Sequence, residues 1–353
     1  MNTASELEGG ATTMVRARWW LVWLLVAAPA ALAWNDAGHM TAALIAYDRL
    51  PEQHQTAVSR LVRQHPRFRE DIEPQLPPGR GGASARERDR WYFAYASTWP
   101  DLVRHFDTAP AAQRQALIAR FNHRTWHYIN LPTYLQPSDR RRIPQQSPSM
   151  VWTSGADAAE LNIVQALQML TTTWCAAGTT DADRGLAVSW IAHLVADLHQ
   201  PLHTTALFAV PSLPRGDRGG NDIQVIGGSN LHALWDDAVG DDRRRKSVDA
   251  RARRIGLAVA GTGEQTLPAD LSQGMRRWAK QGRELAASVV YSPDVRAAIL
   301  AAPPPPPPRI HIDADYRAAT TAAAERQIAS AGTRLALVLQ RLLAENACSQ
   351  RPH

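Results

Sequence analysis

The segment SWIAHLVADLHQPLH, residues 189–203, decides the fold. Its apolar residues recur at intervals of three and four, the period of a helix buried on most of its surface. Pro201 lacks a backbone donor and ends that helix, so His203 falls just past its end. His193 and Asp197 are four residues apart and share a face. His199, two residues after Asp197, points to another side. A buried helix carrying an imidazole and a carboxylate one turn apart must pair them with something. They can pair with each other as an ion pair, or together they can bind a divalent metal, since a His/acid pair at this spacing is a common zinc geometry.

Outward from this helix the chain continues to read as helical. Ala, Leu, Arg and Gln dominate, and apolar residues keep the same period over Asp36 to Leu50, Pro110 to Phe121, Ala156 to Leu170, Asp183 to Leu198, Ser247 to Ala260 and Asp313 to Leu343. Strand signal is scarce. NDIQVIGG, residues 221–228, alternates apolar and polar between turn residues and suits a small hairpin arm. Pro74 to Ala85, Pro211 to Gly220 and Pro303 to Pro308 read as loops. The proline run is extended polyproline II, a stiff connector before the last helix or a place to recruit a partner. No Gly/Ser linker or internal repeat divides the sequence, which predicts one mainly α-helical domain.

Arg16 and Arg18 precede an apolar run, Trp19 to Leu32, that closes on Ala31-Leu32-Ala33. A basic start, a short apolar stretch and a small-x-small site form a secretory signal peptide over residues 1–33, with Met14 as a more ordinary start than Met1. The run is short for a membrane span. The expectation is an exported protein, periplasmic or secreted, without stable membrane association, whose mature domain spans 34–350 and begins at Trp34. The removed segment holds two Arg and two Glu, so the net charge of +6 is unchanged. Basic runs at Arg140-Arg141-Arg142 and Arg243-Arg244-Arg245-Lys246 suit a polyanion, or are solvated surface. Cys175 and Cys348 are the two cysteines. In an exported chain they can form a disulfide from mid-chain to the C-terminus, or remain two thiols.

Other segments add ligands to the central helix. STWPDLVRHFD offers Asp101 and Arg104, TWHYINLP offers His127, and SNLHALWDD offers His232 and Asp236, again four apart beside an apolar stripe. With His39 near the new terminus this makes five histidines and three aspartates. The free amine and carbonyl of Trp34 would make a ninth ligand, enough for three metals with three protein ligands each.

This assembly resembles the S1/P1 nuclease family, the zinc-dependent single-strand nucleases and 3′-nucleotidases. The resemblance runs from Trp34 and Gly38-His39 through the WPD at Asp101, the WHYIN block, His193-x3-Asp197-x5-His203, Gly219-Gly220-Asn221 and His232-x3-Asp236 to QIASAGTRLA at 327–336. It implies a helical fold of the phospholipase C/P1 nuclease type holding three zinc ions. Asp101, His127 and His193 would hold the first zinc. His203, His232 and Asp236 would hold the second, and Trp34, His39 and Asp197 the third. The implied activity is endonucleolytic hydrolysis of single-stranded DNA and RNA by metal-activated hydroxide, leaving 5′-phosphates, with 3′-nucleotides as further substrates and a monomeric enzyme. Arg104 matches an arginine that stabilises phosphorane charge, Tyr128 an aromatic that stacks a base, and Asn221 an asparagine that contacts one; Tyr128 also reads as plain core. The family's acidic residue three positions after the WH histidine is here Asn130, which cannot act as a base, so hydroxide formation would rest on the metals.

A zinc phospholipase C of the same fold also begins at a Trp, but the Gly219-Gly220-Asn221 segment and the net positive charge favour the nuclease. A non-catalytic periplasmic zinc binder would carry a His-rich disordered tract, and none is present. His54, His65, His105, His123, His199, His311 and His353 match nothing in the pattern and read as surface or core.

Overall fold

Helix α1 (Asp36–Arg49) starts where the Asn35 side chain accepts the Gly38 amide at 2.9 Å, and eleven of its fourteen residues are buried. The computed structural model describes residues 34–76, 84–142, 152, 157, 160–258, 266–302, 308–344 and 348. The expected signal peptide, residues 77–83 of the first expected loop, residues 303–307 of the proline run and residues 156, 158, 159, 259 and 260 of two expected helices lie outside them.

After α1 come α2 (Glu52–Arg63), α3 (Ala85–Ala96), the single turn α4 (Trp99–Leu102) and α5 (Ala111–Phe121). Strand β1 (Leu131–Tyr134) precedes α6 (Ile163–Thr173) and α7 (Asp181–Asp197), and β2 (Thr205–Phe208) and β3 (Gln224–Val225) follow. The rest is α8 (Leu231–Asp236), α9 (Arg245–Ala258), α10 (Leu271–Leu285), α11 (Pro293–Ala301), β4 (Arg309–Ile310) and α12 (Ala314–Leu343). The mainly α expectation holds. Helices α2, α3, α4, α8, α10 and α11 go beyond the sequence reading.

Two helix starts differ from expectation for one reason. The sequence pattern began α6 at Ala156, but the helix begins at Ile163, where Asn162 and Gln165 exchange side-chain and backbone bonds in a capping box. Thr180 and Asp183 do the same for α7, so that helix begins at Asp181 rather than Asp183. A cap satisfies amides that apolar periodicity does not register.

Among the described residues the strands form two parallel pairs, β1 with β2 and β3 with β4. The 221–228 arm turns back through an antiparallel bridge between Gln224 and Asn230, and its strand also takes β4 as a parallel neighbour.

Buried apolar side chains form two main clusters. The larger joins α1, α2, α3, α6, α7, α10 and most of α12. Where α1 crosses α12 the backbones approach so closely that a Cβ on Gly332 would lie 2.7 Å from Ile45 Cβ. The smaller cluster gathers Leu202, Leu207, Ile223, Trp235, Tyr291 and Ile310 under the loop between β2 and α8. Cys175 and Cys348 are disulfide-bonded, tying the segment after α6 to the residues beyond α12.

Candidate metal centre

Six elements converge where the two clusters meet. Helix α1 supplies His39, α4 supplies Asp101, and a 3-10 turn (Arg124–His127) supplies His127. Helix α7 supplies His193 and Asp197, a 3-10 turn (Pro201–His203) supplies His203, and α8 supplies His232 and Asp236. All eight side chains are buried.

Their ligand atoms gather in three sets, the first two sharing His193: His39, His193 and Asp197; Asp101, His127 and His193; and His203, His232 and Asp236. Asp197 lies at the junction. Its Oδ1 is 3.3 Å from His39 Nε2, while its Oδ2 is 3.0 Å from His127 Nδ1 and 3.1 Å from His193 Nε2. His193 Nε2 is also 3.7 Å from Asp101 Oδ1, and the His39 ring stacks on the His193 ring at 4.0 Å.

Backbone carbonyls fix the tautomers, because a carbonyl only accepts. His193 Nδ1 donates to the Ser97 carbonyl at 2.9 Å, which leaves a lone pair on Nε2. His203 Nδ1 donates to the His127 carbonyl and His232 Nδ1 to the Gly219 carbonyl, each at 2.6 Å. The Nε2 atoms of His203 and His232 therefore face each other at 3.1 Å, lone pair to lone pair. Such a pair repels unless a cation lies between, and burial lowers the pKa of His203, which works against a proton in that role. His39 Nδ1, His39 Nε2, His127 Nε2 and Asp197 Oδ1 are buried without a hydrogen-bond partner among the described residues. A protein core does not leave so many polar atoms unmet, and imidazole plus carboxylate is the donor set of zinc. The residues fit the metal.

The carboxylates respond to the same surroundings. Burial opposes ionisation of Asp197, but His193 and His203 outweigh it and hold its pKa well below the ordinary value. Asp101 is also lowered despite burial, chiefly by Arg104, whose Nη2 is 2.9 Å from its Oδ1. Burial pushes Asp236 well above its ordinary value, and only the Gln200 side-chain donor, at 2.8 Å from Oδ1, offsets this. Asp236 Oδ2 is 3.5 Å from His232 Nε2, and a cation held by these two atoms would supply the positive charge that an ionised Asp236 needs.

The remaining sequence-derived residues surround this centre. The Trp34 indole donates to the Ala196 carbonyl at 3.0 Å and is fully buried, so residue 34 sits against the end of α7. Arg104 borders the set of Asp101, His127 and His193 through Asp101. Tyr128 and Asn130 are half-buried beside His127, and the amide of Ile129 between them donates to the His203 carbonyl. Asn221 donates to the Arg218 carbonyl in the turn that carries Gly219. His199 is a core residue, with Nδ1 on the Val195 carbonyl and Nε2 facing Arg334.

Sequence reasoning missed the groups that aim the ligands. Gly219 has φ +62°, and a Cβ there would strike the Leu202 carbonyl oxygen, so only glycine brings this carbonyl to His232. The buried Asp217 side chain holds the turn: Oδ1 accepts the Leu207 and Gly219 amides, and Oδ2 accepts the Tyr291 hydroxyl at 2.6 Å. Burial raises the Asp217 pKa to about 6. An Asp directly before Arg-Gly-Gly-Asn was the available signal, as was a Gln inside the buried LHQPLH.

Against known proteins, the profile described as S1/P1 Nuclease matches residues 34–344. Endonuclease 2 of Arabidopsis thaliana is 23% identical over 325 residues, covering 91% of this chain and 94% of the relative. Endonuclease 3 of the same plant is 25% identical over 228 residues, covering 63% and 60%.

Proposed function

The chain belongs to the S1/P1 nuclease family, and on that premise we propose that it is a zinc-dependent endonuclease. It hydrolyses phosphodiester bonds of single-stranded DNA and RNA to 5′-phosphate products and removes 3′-phosphates from nucleotides. Three zinc ions sit in the buried cluster. Asp101, His127 and His193 hold one, and His203, His232 and Asp236 hold another. The terminal amine and carbonyl of Trp34, with His39 and Asp197, hold the third. Bound there, zinc lowers the pKa of water toward neutrality and neutralises phosphate charge.

The observation that carries this reading is the approach of the His203 and His232 Nε2 atoms to 3.1 Å in a buried site, with the Nδ1 of each ring on a backbone carbonyl. The chain's own groups do the rest. The Ser97, His127 and Gly219 carbonyls fix which imidazole nitrogen faces the metal, and Arg104 adds a guanidinium beside Asp101 for charge on the phosphate. Tyr128 stacks a base and Asn221 contacts one. Stacking requires a base free of its helix, which favours single strands. Asn130 takes no part in proton transfer.

The signal peptide, residues 1–33, directs the protein to the periplasm or medium, where it acts as a monomer through the domain 34–350. The Cys175–Cys348 disulfide suits that oxidising destination. Among the described residues no helix is long and apolar enough to cross a membrane.

The test is metal analysis of the mature protein, with assays on single-stranded DNA and on phosphatidylcholine, with and without chelator. Bound zinc with chelator-sensitive cleavage of DNA is expected. A zinc-free, chelator-insensitive active enzyme overturns the mechanism, and turnover of phosphatidylcholine alone makes it a phospholipase. A protein starting Met-Trp34 should bind less zinc and lose activity while keeping its helical content; full activity with three zincs excludes the amine as a ligand.

A further inference from the structure

The basic run 243–246 found in the sequence lies beside the metal centre. Asn35, next to Trp34, donates through its side chain to Asp237 at 2.8 Å, binding the loop after α8 to the start of α1. At the end of that loop Arg243 pairs with Asp36 at 2.7 Å, one turn before the ligand His39. The run then enters α9, which faces α3. Between the two helices lies a cleft of about 490 Å³ lined by Arg86, Arg90, Trp91, Arg245, Lys246 and Arg253, with Asp48, Glu87 and Asp249 among them.

The charges in this cleft do not cancel. Arg90 is committed to Asp48 and Asp249, at 2.6 and 2.9 Å, and Arg253 shares Asp249 at 2.9 Å. Arg86, Arg245 and Lys246 take no carboxylate partner among the described residues. The Arg245 guanidinium sits 6.0 Å from the Trp91 ring centre, and the field of Arg243 and Arg245 reaches Tyr95, one turn of α3 nearer to Ser97 and the His193 it holds. Cations spaced along a groove, with aromatic rings between them, form the surface that tracks a polynucleotide backbone.

We propose that Arg86, Arg245 and Lys246 form a phosphate track that holds a single-stranded polynucleotide beyond the bond being cut. The proposal rests on the nuclease reading and deepens it. The metal centre alone suffices for a dinucleotide, while the track makes long strands the better substrates. It is the surplus cation, not any base-reading group, that does this, so the preference is for length and not for sequence.

The experiment compares wild type with the triple variant Arg86→Gln, Arg245→Gln, Lys246→Gln on poly-deoxythymidine and on a thymidine dinucleotide. KM for the long strand should rise about tenfold at low salt, and the salt slope of kcat/KM should become shallower by roughly 2, from three lost phosphate contacts. The kcat, and all turnover of the dinucleotide, should stay at wild-type values. Equal losses on both substrates, or no change on either, overturn the track. Binding of a phosphorothioate poly-deoxythymidine strand separates this from the parent reading. A wild type that binds the strand more tightly than the variant but cleaves nothing refutes the nuclease and leaves the track. Equal binding by the two proteins refutes the track.

Discussion

The two halves of the metal centre are aimed by different means. On one side His193 and Asp197 project from α7, buried throughout by the larger cluster, and helix geometry sets their spacing. On the other side His232 also rides a helix, but its ring is turned by Gly219, in an irregular loop that depends on one buried carboxylate. A helix-held ligand tolerates change in its neighbours, because the backbone carries the geometry. A loop-held ligand is only as well placed as the contacts that pin the loop.

The largest effect should come from the helix-held half itself. His193→Ala removes a ligand shared by two sets, and Asp197→Asn removes the charge at their junction. Each should lose zinc, nearly all nuclease activity and thermal stability, since bound metal contributes folding free energy. If the pair is only a buried ion pair, wild-type melting and activity will ignore chelator, and metal analysis with melting curves decides.

Gly219→Ala attacks the loop-held half without touching a ligand. The new methyl group displaces the carbonyl that orients His232, and zinc affinity of that set should fall about 10- to 100-fold, the usual cost of a lost orienting partner. Far-ultraviolet circular dichroism should be unchanged. Wild-type zinc affinity in this variant would show that the loop does not aim the ring.

Asp217→Asn probes the same loop through pH. A carboxyl whose folded pKa, about 6, exceeds its unfolded value of 3.8 binds its proton more tightly when folded. Its contribution favours folding below about pH 4 and is lost as pH rises to about 6, a fall on the order of 2–3 kcal/mol. The variant lacks this fall. Urea unfolding of both metal-stripped proteins across that window should give curves that diverge, and parallel curves would remove Asp217 from the titration.

Asn130→Asp is the smallest change. It places an acid beside His127 and, with water activation resting on the metals as proposed, should leave turnover within about an order of magnitude, or raise it. A collapse in kcat would reveal a specific duty for Asn130.

The same contrast explains what the sequence disclosed. His193, Asp197, His232 and Asp236 were legible because spacing of four on an apolar helix is a sequence property. Ser97 and His127 act on the ligands through carbonyl oxygens, which every residue has, so nothing in their identity marks the role, and Gly219 is distinguished only by the close backbone approach that its missing side chain permits. Asp217 and Tyr291 meet across 74 residues, beyond any local pattern. Among the helices, α3 opens on Ser84-Ala-Arg-Glu87, and Ser84 accepts the Glu87 amide at 3.1 Å. That cap signal was present, but the charged first turn masks the apolar period. The start of α6 failed for the converse reason, as the apolar residues ahead of Ile163 suggested more helix than the Asn162 cap permits.

Helix α12 belongs to both halves. Its 30 residues span about 45 Å as one rod. Ala323 packs into the smaller cluster, while Ala324 to Leu342 pack into the larger, where Gly332 meets Ile45. A rod common to two cores makes them one cooperative unit, since neither can open without exposing part of the helix that the other needs. Amide hydrogens under the irregular loop therefore exchange at local opening rates, while those along α12 exchange only when the whole domain unfolds.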